Sequence, residues 1–172
     1  MRRYLIPISV LLVLVLGLLV SCSGAANINE TTTERDKAVT FFKGAYPVAE
    51  ELRAVADDWN AFLYEMGSIA SDDEVADMCR ECQSRLEALQ SDLSMLYAIL
   101  PLSELKDDIA LCISTGIEAF RLAQECAITH SFDCCHQADE KLREFYSLIR
   151  LVEDGYDDGL AHYDIKPSEI LP

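Results

Sequence analysis

The sequence predicts an all-α protein: an up-down-up-down antiparallel four-helix bundle behind a signal peptide and a flexible tether. Three observations predict it. Apolar residues recur in alternating steps of three and four through four successive stretches, the spacing that lines them along one face of a helix. Short runs of turn and cap residues separate the stretches, and short connections make consecutive helices antiparallel neighbours. No stretch alternates apolar and polar residues with the period of two that a half-buried strand requires.

The first stripe is Ala38, Phe41, Ala45, Val48, Leu52, Val55, Trp59, Phe62 and Met66. Pro47 lies inside it and removes one backbone hydrogen bond. The expectation is a kink over Lys43 to Pro47, with a shorter helix beginning at Pro47 as the alternative. Met66-Gly67-Ser68 ends the helix. Ser71 opens the second, with Glu74 three residues on as a capping box and Asp72 and Asp73 favouring the positive helix start. Its stripe is Val75, Cys79, Cys82, Leu86, Leu89, Leu93, Leu96 and Leu100, and Pro101 is expected to terminate it. The third stripe is Leu105, Ile109, Cys112, Gly116, Phe120, Ala123, Cys126 and Ala127. His130 to Asp133 reads as a tight turn, with Ser131 or Asp133 capping the fourth helix. That helix carries Cys135, Ala138, Leu142, Phe145, Ile149, Val152 and Tyr156, and Gly155 and Gly159 are expected to fray it. The bundle is thus placed at residues 34–160 and an extended tail at 161–172.

The cysteines are the chief candidates for chemistry. Folding the third helix back on the second near Pro101 brings Cys79 opposite position 124. Folding the fourth back on the third near His130 brings Cys126 beside Cys135. Cys79, Cys82, Cys126, Cys134 and Cys135 therefore gather at one end of the bundle, and Cys112 lies about 20 Å away along its helix. Three readings compete. The first is two interhelical disulfides drawn from Cys79 or Cys82, Cys126, and Cys134 or Cys135, with Cys112 a buried thiol. The second is a metal site on Cys79, Cys82, Cys126 and Cys135, joined by His130 or His136, with Zn or Cu(I) suited to such soft ligands. The third is thiol–disulfide chemistry by Cys79-x-x-Cys82, which lacks the βαβ context such motifs use.

Other constellations are missing. Gln83 follows Cys82, so the Cys-x-x-Cys-His attachment of covalent haem is absent. There is no Glu-x-x-His pair for a di-iron centre. No serine sits in a nucleophile elbow. The acidic run Glu153 to Gly159 lacks the twelfth-position acid of a calcium loop. The reading is of a binding or structural module, not an enzyme, with no cofactor.

The amino terminus carries a different kind of signal. Arg2 and Arg3 precede an uncharged apolar run of 17 residues, Tyr4 to Val20, short for a spanning helix but suited to a removable leader. Leu19-Val20-Ser21-Cys22 follows. This segment resembles the lipobox signal peptide of prokaryotic membrane lipoproteins. The resemblance implies cleavage between Ser21 and Cys22 and a diacylglycerol on the Cys22 sulfur, often with a third acyl chain on its nitrogen. It implies a cell-membrane or outer-membrane location on the extracytoplasmic face, and Ser23 is compatible with outer-membrane sorting. Residues 1–21 are then the signal peptide, and 22–33, small and polar, a flexible tether.

Charge narrows the partners. Losing the first 21 of 172 residues leaves 151, and because Arg2 and Arg3 are the only charges lost, the net charge of −16 becomes −18. Such a chain is repelled by nucleic acid and by anionic lipid. The expected partners are the membrane, through the lipid, and an envelope protein. The cysteine end, opposite the tether, is the membrane-distal tip.

Overall fold

The computed structural model describes residues 34–67 and 69–171 in full, with only the helical path of the backbone given for 8–33. The predicted signal peptide, the Ser21–Cys22 cleavage point with its lipid, and the tether lie outside the fully described residues. Two compact units divide the chain, residues 1–37 and residues 38–172, and the bundle is the second.

It is formed by the part of α1 (Ile8–Met66) from Ala38 onward with α2 (Asp72–Met95), α3 (Leu100–Thr129) and α4 (Phe132–His162), followed by a short α5 (Pro167–Ile170). Among the described residues there is no strand, as the periodicity predicts. Most of each stripe becomes a buried seam, except that Leu100, placed at the end of the second stripe, is 89% exposed and opens α3. Phe41, Leu52, Val55, Leu86, Ile109, Phe120 and Phe145 are all fully buried. Trp59, Phe120 and Phe145 meet edge to face across three helices, with centroid separations of 5.4 and 5.9 Å, the arrangement that the ring quadrupole favours.

Polar ties join the helices at the seam edges. Arg85 on α2 donates to Glu51 and Asp58 on α1, both at 2.6 Å. Arg53 on α1 reaches Glu153 on α4 at 2.7 Å. The Tyr146 hydroxyl donates to Asn60 at 2.9 Å, and the buried Tyr156 hydroxyl donates to the Phe42 carbonyl at 3.0 Å.

The helix boundaries test the local readings one by one. The capping box forms as read: the Ser71 amide donates to Glu74 Oε2 at 2.7 Å, and the Glu74 amide donates to Ser71 Oγ at 3.3 Å. Ser131, not Asp133, caps α4. His130 closes α3 in the left-handed region, at φ 53°, and donates its amide to the Cys126 carbonyl at 2.8 Å.

Pro47 lies within α1, which runs on past it as expected, so the alternative of a shorter helix beginning there is set aside. Three expectations are corrected. Pro101 does not end α2; that helix stops at Met95, and Pro101 lies in the first turn of α3, where its missing N–H has no partner to lose and its fixed φ suits the helix. Gly155 and Gly159 do not fray α4, which runs to His162. At Gly159 an added Cβ would lie 2.6 Å from Phe42, so the glycine is where α1 packs closely against α4. The described residues of the expected extended tail, 161–171, are not extended: they finish α4, turn, and form α5, with Ile165 and Ile170 buried against the bundle.

Candidate docking site at the bundle tip

The end of the bundle away from residue 38 is built from the last turns of α1 and α3 and the first turns of α2 and α4. The cysteine cluster was expected here, and the structure assembles part of it. Cys126 and Cys135 form a disulfide with a Cα separation of 4.9 Å. It joins the last turn of α3 to the first turn of α4, across the turn that His130 and Ser131 make. Both cysteines are only half-buried.

The second interhelical disulfide is not formed. Cys79, Cys82, Cys112 and Cys134 are buried free thiols. Cys79 and Cys82 belong to the core face of α2 with Leu86 and Leu89. Cys134 turns towards α3, where its thiol donates to the Leu122 carbonyl at 3.4 Å. Cys112 is the buried thiol expected of it, with the Phe145 carbonyl as a distant acceptor at 4.0 Å. Burial pushes the Cys79, Cys82 and Cys112 thiols up to about 12. Protonated and covered, they are poor nucleophiles, which removes the basis for redox work by the Cys79-x-x-Cys82 pair.

The four-sulfur metal set is not brought together either. Two of its members, Cys126 and Cys135, are bonded to each other, while Cys79 and Cys82 face the core. His136 points outward, 3.5 Å from Glu140 and stacked on Phe132. Among the described residues, no three His, Cys, Asp or Glu side chains converge as a metal site would require.

What the tip does contain is an open cleft of about 520 Å³ to which all four long helices contribute. Its apolar lining includes Trp59, Leu63, Val75, Ala127 and Leu142, and the disulfide forms part of the wall. Asp72 and His130 meet across the rim at 3.2 Å, linking the start of α2 to the end of α3. Trp59 is only 4% exposed, and its indole N–H has no hydrogen-bond acceptor. Such a buried donor without a partner is uncommon in native proteins and calls for an explanation.

Large apolar side chains surround the same end. Tyr64 and Ile69 lie at the α1–α2 junction, and Ile128 and Phe132 at the α3–α4 junction; Tyr64 is 93% and Phe132 83% exposed. Together with Leu63 they form a concentration of exposed apolar surface around one concavity, a common mark of an interaction site. Sequence reasoning missed this patch because it followed residues on the stripes. The signal was nevertheless present: Leu63, Tyr64, Ile69, Ile128 and Phe132 are apolar residues off the stripes, crowded at two turns where polar residues are the rule.

No helix among the described residues is long and apolar enough to cross a membrane. No protein-family model, curated protein or solved structure matches this chain.

Proposed function

We propose that this chain is a lipid-anchored lipoprotein of the cell envelope, held to the membrane through Cys22, whose helical bundle acts by binding another envelope protein rather than by catalysis. The observation that carries the reading is the tip: a cleft to which all four long helices contribute, flanked by exposed Leu63, Tyr64, Ile69, Ile128 and Phe132. The lipobox-like leader supplies the location, and the disulfide suits an oxidising compartment. Two or three acyl chains hold a protein stably where a single chain does not.

Two measurements test the two halves. Mass spectrometry of the native protein should find a chain beginning at an acylated Cys22, and Cys22→Ala should leave an unprocessed precursor. A native chain found in the cytosol with its leader intact would refute the anchor. A photo-crosslinking residue at Phe132 should join the chain to one defined envelope protein, whereas the same residue at Arg143, on an exposed helical face, should not. Equal labelling at both positions would refute the tip as the binding surface.

A further inference from the structure

Resting on the reading of the tip as a docking surface, we infer that its occupant is a basic amphipathic helix of the partner protein, with apolar side chains seated in the cleft and Lys or Arg side chains along the rim. Three observations fix that chemistry.

The first is charge. Segments 54–79 and 122–140, which supply the tip, contain eleven acids and no Lys or Arg. Asp58, Asp77, Glu125 and Asp139 pair with Arg85, Arg80, Arg121 and Arg143 from just beyond them, which leaves Asp57, Glu65, Asp72, Asp73, Glu74, Asp133 and Glu140 as the excess negative charge. Such a field attracts a cationic partner and repels a second copy of this chain, whose net charge is also −16.

The second is extent. Tyr64, Ile69, Ile128 and Phe132 are exposed beyond the residues that line the cleft. A small molecule filling the cleft would leave these side chains in water, whereas a macromolecular segment covers cleft and rim together.

The third is backbone. The tip is made of helix ends and the turns between them, with no strand among the described residues, so it offers no sheet edge to which an extended peptide could add. A segment entering an apolar cleft must therefore satisfy its own backbone, and a helix does so.

Trp59 is the only tryptophan in the chain, so its fluorescence reports on this site alone. The probe is an 18-residue Leu/Lys peptide of amphipathic helical order, titrated into the full chain in nonionic detergent at 0.15 M salt. The expected result is a saturable change in Trp59 emission at one peptide per chain. A scrambled peptide of equal composition should bind at least tenfold more weakly. Leu63→Asp and Phe132→Asp should each weaken binding at least tenfold with unchanged helical circular dichroism; both positions are solvent-accessible, so folding should survive.

Equal binding of the scrambled peptide, or no loss in either variant, would overturn the inference by showing diffuse charge attraction. Equal binding of a Leu/Ser peptide would overturn the basic character. A dimer in sedimentation that Phe132→Asp dissolves would assign the patch to a second copy. If tip crosslinking to an envelope protein persists while the Leu/Lys peptide fails, the partner chemistry is wrong and the docking reading stands.

Discussion

Removing the Cys126–Cys135 disulfide should cost the fold about 2.7 kcal/mol, a value that follows from its place in the chain. The bridged residues are separated by nine positions, so the bond closes a loop of about ten residues in the unfolded chain. For that length the chain-entropy relation gives about 9 cal/mol/K, or about 2.7 kcal/mol at 25 °C. Little native packing is lost with it, because both cysteines are half-buried and the helices they join are held by Phe120, Phe145 and the rest of the seam. The perturbation is Cys126→Ala/Cys135→Ala, compared with the parent protein in oxidised and reduced form. Urea unfolding followed by circular dichroism should place the double variant and the reduced parent together, both about 2–3 kcal/mol below the oxidised parent. The slope with urea should rise slightly as the unfolded chain expands. Thermal midpoints should fall by about 8–13 °C for a domain of this size. Reduction itself is verified by thiol titration in denaturant, which should gain two thiols over the four buried ones. A loss under about 0.5 kcal/mol, with reduction confirmed, would refute the argument that this bond acts by restricting the unfolded state.

Three further predictions concern the core and the caps. Gly116→Ala should destabilise by about 1–2 kcal/mol, because its Cβ would lie 2.7–2.9 Å from the buried Phe145 and Leu86 side chains, and overpacking outweighs the helix propensity gained; Gly155→Ala, which meets only Leu105 at 3.1 Å, should be neutral or stabilising by urea midpoint. The buried thiols predict an alkaline limb. Their folded values near 12 lie above the ordinary 9, so their contribution is complete below pH 9 and is lost as pH rises towards 12; thermal midpoints from pH 8 to 11 should fall more steeply in the parent than in Cys112→Ala. Ser71→Ala should cost about 1 kcal/mol through the lost cap. The Ser71 amide and hydroxyl hold the Glu74 carboxyl below its usual range, so the deficit of Glu74→Gln relative to the parent should be present at pH 7 and vanish as pH falls through the carboxylate range.

The features legible in the sequence share a physical cause: they depend on neighbours within one turn or on a repeating period. A stripe at helical spacing buries itself whatever its partner, so Ala38 through Trp59 and Leu105 through Ala127 could be read directly. The Ser71–Glu74 box spans three residues and needs nothing else. The nearness of Cys126 to Cys135 followed from the shortness of the turn between α3 and α4, which fixes the register of the two helices, while the bond itself stayed open between Cys134 and Cys135. Pro101 was misread because proline is compatible with either side of a helix boundary; the sequence leaves open which helix owns it, and the packing of Leu102 and Leu105 decides in favour of α3.

Three outcomes belong to the tertiary structure alone. Gly155 and Gly159 look like breakers until Phe42 arrives from α1 to fill the space beside Gly159. Cys134 and Cys135 are adjacent and chemically identical, yet one is bonded and the other buried free, because neighbouring side chains on a helix diverge by about 100° and only one of them faces Cys126. The tip cleft requires residues from four helices as distant in sequence as Trp59 and Leu142. Sequence periodicity determined which faces are buried; only the meeting of all four helix ends decided where the surface remains open, because a cavity is a property of the gaps between elements and no single element encodes it.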